Sequence, residues 1–264
     1  MEGSSRPSIR LTIAYDGAAF AGWARQPETR TVQGTIEAAI AAMNGAPAEL
    51  RGASRTDAGV HALGQVAAFD PARDIEPRGW LRGLNASLPD DVAVVAAEAC
   101  EPGYTPRFDT VDKTYRYLVL RGDVRHPLLR GRAWFLGPRH GGASLDVAAM
   151  RAAADRLRGT HDFRAFRSAD DDRENTIRTV HAIAIHEGWG DEPRLVAVEV
   201  RGDAFMKNMV RILVGTLVEA GRGRRSPDDV ASLLGPQGRR DDAGTTAPAH
   251  GLTLVSMRLG RAHA

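Results

Sequence analysis

The residues most able to do chemistry sit in one short segment, SRTDAGVHA, at residues 54–62. It is small and polar, is flanked by strand-like sequence, and has Gly59 to close a tight turn. A loop that carries Arg55, Thr56, Asp57 and His61 between rigid strands is where catalytic groups concentrate. Two readings of Asp57 are open. Its carboxylate bonds its own backbone in an Asx turn, or it faces a substrate as a nucleophile. A metal site is the poorer fit, because Asp57 and His61 supply two ligands and no third candidate lies nearby.

A second set of polar residues interrupts an apolar segment. Phe205, Met206, Met209, Val210, Ile212, Leu213, Val214, Leu217 and Val218 cover most of a helix predicted from Phe205 to Ala220, which is therefore largely buried. Arg211 lies in that stripe, with Lys207 and Asn208 four and three residues before it on the same face. A buried guanidinium left unpaired costs about 3–5 kcal/mol, so Arg211 calls for a carboxylate. Glu199 and Glu219 are the structural candidates. Asp57 is the functional one, because an adjacent guanidinium keeps a carboxylate ionised.

The elements that must position these groups follow from the apolar pattern. Ile9 to Tyr15 alternates as a strand. Thr31 caps a helix carrying Val32, Ile36, Ala39, Ile40 and Met43, closed by Gly45. Strands follow near Glu49 to Ala53 and at Gln65 to Phe69, then a helix from Pro77 with Trp80 and Leu84, and a strand from Val92 to Ala97. The second half opens on KTYRYLVLR from Lys113, with Tyr115, Tyr117 and Val119 on one face. A helix capped by Ser144 and ended by Gly159, strands at Ile177 to His186 and Arg194 to Gly202, the Arg211 helix, a short helix capped at Ser226 and a strand at Leu252 to Leu259 complete it. The fold class expected is α+β, in two halves of similar rhythm whose sheets join edge to edge over a cleft. The boundaries expected are a flexible tail over 1–8, an N-terminal subdomain over 9–110 with the Asp57 loop, and a C-terminal subdomain over 111–264 with the Tyr115 strand and the Arg211 helix.

Composition narrows the class. Hydrophobic residues at 43% and charged residues at 26% are globular values and exclude general disorder. The single Cys100 excludes an intrachain disulfide or a Cys-rich zinc module. With no apolar leader in the first residues and no apolar run of about 18, a cytoplasmic protein with no membrane segment is expected. Of 35 basic residues only Lys113 and Lys207 are lysines, which leaves 33 arginines. Arginine presents planar paired donors suited to phosphate. Arg121, Arg125, His126, Arg130, Arg132, Arg139 and His140 cluster with Asp123 as their only acid, and Arg222, Arg224, Arg225, Arg239 and Arg240 form a second group. Either cluster can be a phosphate-tracking surface or a solvated loop.

Eight segments in order resemble the TruA-type tRNA pseudouridine synthases: AYDGAAFAGWARQ (14–26), RTDAGVHALGQV (55–66), LNASLPDDV (84–92), PRFD (106–109), KTYRY (113–117), GTHDFRAFR (159–167), DAFMKNMVR (203–211) and TAPAHGLTLV (246–255). The resemblance runs from Ile9 to Leu259. It implies two RNA-recognition-like (ferredoxin-like) α/β subdomains with joined antiparallel sheets and a central basic cleft. It implies a homodimer without metal, nucleotide or other cofactor, which isomerises uridine at positions 38 to 40 in the anticodon stem-loop of tRNA. Asp57 matches the family nucleophile, and Tyr115 the tyrosine that packs against the target base. Arg211 matches the arginine that pairs with the nucleophile, and Arg55 the residue that fills the space of the flipped base. His61, Lys207, Arg125 and Arg130 join Arg55 and Tyr115 as expected substrate contacts. One departure stands out: many members have glycine before the RTDAG arginine, where this chain has Ser54.

Overall fold

The computed structural model describes residues 6–142 and 144–260. The chain divides into two compact units, one formed by residues up to Val111 together with those from Leu254 onward, the other by Asp112–Thr253. Both are mixed α/β structures with mostly antiparallel strands.

The first unit starts with strand β1 (Ser8–Tyr15), in which Ile9, Leu11, Ile13 and Tyr15 alternate inward. Of the tail expected over 1–8, residues 1–5 lie outside the described residues. Ser8 itself is buried in the strand, bonded to Asp70 through its hydroxyl and accepting from the Cys100 thiol through its carbonyl. Helix α1 (Val32–Asn44) is capped by Thr31, whose hydroxyl accepts from Gly34 N, and ends at Gly45 in the left-handed region. Strands β2 (Arg51–Gly52) and β3 (His61–Phe69), helix α2 (Pro77–Ser87), strand β4 (Val92–Cys100) and the single-turn helix α3 (Pro106–Asp109) follow. Strand β1 pairs antiparallel with both β3 and β4. Trp80 of α2 meets Phe69 of β3 edge to face, with ring centroids 5.0 Å apart, which seats the helix on the sheet. Both rings are fully buried, so Trp80→Ala would cost about 3–5 kcal/mol.

In the second unit, β5 (Thr110–Arg121) is followed by β6 (Trp134–Leu136), α4 (Val147–Asp155), β7 (Gly159–Asp162), β8 (Ile177–Glu187), β9 (Leu195–Gly202), α5 (Met209–Gly221) and α6 (Pro227–Ala231). The strands run in the order β5-β9-β8-β7, each pair antiparallel, while β6 lies parallel to β5. Alternation puts Tyr115, Tyr117 and Val119 of β5 inside. Strand β10 (Leu252–Leu259) belongs from Leu254 onward to the first unit, where the order is β4-β1-β3-β10. The sequence reading placed it in the second.

Several boundaries differ from expectation for local physical reasons. The cap of α4 is Asp146, whose carboxylate accepts from Ala149 N at 3.0 Å, rather than Ser144. Helix α5 begins at Met209, because Asn208 before it sits in the left-handed region at φ 61°. The apolar stripe runs on through Phe205 and Met206, but the helical backbone does not. Strand β3 begins at His61, so the segment at 54–62 already ends inside a strand. Strands β6 and β7, three and four residues long, were not foreseen.

Candidate active site

The Asp57 loop is clamped by the segment after β1. Trp23 N donates to Thr56 O at 3.0 Å and Gly59 N to Phe20 O at 3.4 Å. The Thr56 hydroxyl, buried, lies 2.7 Å from the Tyr15 hydroxyl. This closeness needs glycine on the clamping side. A Cβ on Gly17 would come within 1.9 Å of Val60 O, and one on Gly22 within 2.9 Å of Thr56 O. Inside the loop, Val60 N donates to Asp57 O at 3.2 Å and Gly59 has φ +77°, the sign a type II turn requires at its third residue. Asp57 thus opens a hydrogen-bonded turn, half-buried, with Arg55 exposed two residues before it.

Ser54 does not disturb this arrangement. Among the described residues, the only ones other than glycine with positive φ are Glu28 and Asn208, so the serine occupies ordinary backbone. Its carbonyl accepts from the side chain of fully buried Gln65 at 2.9 Å. His61, expected among the substrate contacts, lies at the start of β3. It is buried, and its Nδ1 accepts from Gly17 N at 3.1 Å and lies 2.9 Å from the Asp16 carboxylate. These contacts fasten the turn after β1, which in turn presses on the Asp57 loop.

The second unit holds the other groups. Tyr115 is buried on β5 and meets Phe205 edge to face at 5.4 Å and 90°. Two residues on, Tyr117 donates its hydroxyl to Pro248 O at 2.7 Å and packs so tightly on Gly251 that a Cβ there would come within 2.5 Å of the ring. Burial pushes the Tyr117 phenol far up, against the opposing pull of the Arg211 charge, so it stays a neutral donor. Arg211 is half-buried near the start of α5. Its Nε donates to Ala247 O at 2.7 Å and its Nη1 to Asn208 Oδ1 at 2.6 Å. Neither structural acid considered for it takes it: Glu199 pairs with Arg116 at 2.8 Å and Glu219 with Arg225. Asn208, which shares a face with Arg211 in the sequence but was given no role there, is thus its clamp.

Lys207 is exposed and pairs with Asp170, whose carboxyl it holds below the usual carboxylate range. Arg125 and Arg130 are exposed in the connection between β5 and β6, beside exposed Val124 and Leu128. In the second arginine cluster, Arg225 ties α5 to the segment after α6 by pairing with Glu219 and donating to Asp242 O, and Arg240 braces that segment internally by donating to Gly244 O and to the Thr246 hydroxyl. Among the described residues no group of three or more His, Cys, Asp or Glu side chains could hold a metal ion. No helix in them is long and apolar enough to cross a membrane.

The first unit thus presents Asp57 in a clamped turn, and the second carries Tyr115 on a strand and Arg211 on a helix. The family model described as tRNA pseudouridine synthase matches residues 11–109 and 153–258. A tRNA pseudouridine synthase A of Geobacter sulfurreducens is 45% identical over 251 residues, 95% of this chain and 99% of the relative. Proteins of the same description are 43% identical in Geobacter sp. (95% and 98% of the two chains) and 43% identical in Myxococcus xanthus (95% and 91%). In structure, a chain of the Cbf5-Nop10-Gar1 complex aligns with a TM-score of 0.37 and 14% identity, over 94% of this chain and 58% of that one. The chain belongs to the tRNA pseudouridine synthase family. As a pseudouridine synthase it is an isomerase, and its place is in tRNA processing.

Proposed function

We propose that this enzyme converts uridine to pseudouridine at positions 38, 39 and 40 in the anticodon stem-loop of tRNA, with Asp57 as the nucleophile. The observation that carries the reading is the Asp57 loop: a carboxylate at the head of a turn, clamped on one side by a glycine-bearing segment. Tyr115 takes the place against the target base. Arg211 supplies the positive charge that keeps a nucleophilic carboxylate ionised. Arg55, exposed and planar, fills the space the flipped base leaves, and Lys207, Arg125 and Arg130 meet the RNA backbone. Burial gives His61 a supporting part behind the loop.

In the reaction the N1–C1′ bond of the uridine breaks, the uracil turns, and C5 bonds to C1′. The proton on C5 leaves and N1 gains one, so no redox partner is needed. The carboxylate serves either by forming an ester at C1′ or by removing the 2′ proton to give a glycal. Flipping the nucleotide out of its stack costs a few kcal/mol, which arginine–phosphate contacts offset. The working form proposed is a cytoplasmic homodimer without cofactor.

The test is tritium release from C5-labelled uridine in an unmodified tRNA transcript, without metal or nucleotide. Release by the wild type and none by Asp57→Ala, with tRNA affinity kept within about tenfold, would support the assignment. Release by Asp57→Ala would sink the nucleophile. No release by the wild type despite salt-sensitive tRNA binding would point to an RNA-binding protein instead.

A further inference from the structure

Residues 170–172 are three consecutive aspartates, a run that in sequence looks like a solvated acidic patch. Asp170 and Asp172 are exposed, but Asp171 between them is only 6% exposed. A carboxylate is buried at such a place only when donors converge on it. Here Oδ1 accepts from Arg173 N at 3.2 Å and lies 3.3 Å from Arg173 Nε, while Oδ2 accepts from Lys207 N at 3.0 Å. Asp171 therefore joins two segments that are remote in sequence, a strap at 168–173 and the turn at 205–208 that precedes α5.

The joint is made several times over. Asp171 N donates to Ser168 O at 3.1 Å, which closes the strap on itself. Ser168 N donates to Lys207 O at 3.1 Å, so both backbone groups of Lys207 are held by the strap. The Ser168 hydroxyl accepts from Asn208 Nδ2 at 3.1 Å, and Arg173 Nη1 donates to Phe205 O at 3.4 Å. The turn held in this way carries a group at each end. Phe205 meets the Tyr115 ring edge to face, and Asn208, fixed in its left-handed conformation, holds the Arg211 guanidinium. One carboxylate thus stands behind the placement of both.

We propose that Asp171 is a positioning residue for uridine isomerisation, fixing through the 205–208 turn where the Tyr115 ring and the Arg211 guanidinium stand. The proposal rests on the functional reading of Tyr115 and Arg211 given above. It also explains why a carboxylate is needed. Three donors point at it, and an amide in its place would turn an NH2 group toward one of them. Asp171 touches no substrate in this scheme. Its effect is geometric, and misplacing reacting groups by about 1 Å can slow a reaction about a hundredfold.

The experiment measures single-turnover tritium release and tRNA affinity for Asp171→Ala, Asp171→Asn, Arg211→Ala, Arg211→Lys and the Asp171→Ala/Arg211→Lys pair, below their melting temperatures. Asp171→Ala should slow the chemical step at least about tenfold with tRNA Kd changed less than about threefold, and Asp171→Asn should fall between it and the wild type. Because Arg211→Lys already loses the fork that Asn208 holds, the paired variant should be slowed by less than the product of the two single effects, with only the route through Tyr115 left to lose. A wild-type rate in folded Asp171→Ala overturns the positioning role, and a paired variant slowed by the full product overturns the route through Arg211. If Asp171→Ala does not fold, Asp171→Asn carries the same readouts, and a wild-type rate there overturns the positioning role. A wild-type rate in Arg211→Ala defeats the reading of Arg211 itself and removes the route through it. A slow Arg211→Ala beside a normal Asp171→Ala defeats only the present inference.

Discussion

A guanidinium in an apolar helix is useful only if something fixes its direction, and here an asparagine does so. Asn208 combines a left-handed backbone with an acceptor 2.6 Å from Arg211 Nη1. Two substitutions separate these duties. Asn208→Gly relieves the backbone and removes the acceptor, so it should melt within a few degrees of the wild type yet turn over slowly. Asn208→Ala should lose about 1 kcal/mol more stability, because alanine tolerates that φ poorly. Equal melting temperatures for the two, read by circular dichroism, would show that the backbone is not strained there. Asp70 makes a different kind of prediction. The Arg51 guanidinium, at 2.7 and 2.8 Å, holds its carboxyl down at about 2, with help from Ser8 and Gly103 N. A depressed carboxyl contributes stability above its unfolded pKa near 4 and loses it as pH falls toward 2. Since the carboxylate is half-exposed, the contribution is about 1 kcal/mol or less. The wild-type melting temperature should therefore drop more steeply between pH 4 and pH 2 than that of Asp70→Asn, and parallel curves would discard the pair as a source of stability.

At the scale of elements, the clamp on the Asp57 loop depends on the absence of two side chains. Gly22 has φ +108° and no room for a Cβ against Thr56 O. Gly22→Ala should cost about 1–3 kcal/mol and push the loop outward. Turnover should fall by more than tRNA affinity does, and unchanged kcat with a lower melting temperature would mean that the loop keeps its shape without the clamp. Much of this arrangement was legible in the sequence. A small polar segment between alternating strands marks Asp57, and caps at Thr31 and Ser226 mark helices, because those signals are local. The start of α5 was not legible, since the apolar stripe continues through Phe205 and Met206 while the backbone turns. Asp171 was hidden between two identical neighbours, and its burial depends on a turn more than thirty residues away. Strand β6 is three residues long and pairs parallel to β5, which leaves no alternation to detect.

For the molecule as a whole, net charge says little, because 35 basic residues face 33 acidic ones. What matters is how many guanidinium groups the acids leave for RNA. Arg30, Arg51, Arg116, Arg121 and Arg225 are each paired with a carboxylate, whereas Arg55, Arg125 and Arg130 are exposed. If those three and Lys207 meet phosphates, raising salt from 50 to 200 mM should weaken tRNA binding by roughly fifty- to a hundred-and-fiftyfold. Replacing Arg125 and Arg130 together should make that salt dependence shallower, and an unchanged slope would take the connection between β5 and β6 out of the interface.

The return of β10 to the first unit ties the Asp57 loop to a strand encoded nearly two hundred residues later. Gly64, a few residues beyond Asp57, has its backbone so near Val255 that a Cβ would meet the carbonyl at 2.6 Å, and Gly260 N donates to Asp109 O at 2.8 Å. A ribosome that has made the first 111 residues has therefore not yet made a finished unit. The sheet edge beside the Asp57 loop stays open while the whole of Asp112–Thr253 is synthesised, and closes only when β10 emerges. An exposed edge of that kind invites mispairing. A stop codon near residue 253 would accordingly leave the Asp57 loop, encoded almost two hundred codons upstream, beside an unfinished sheet.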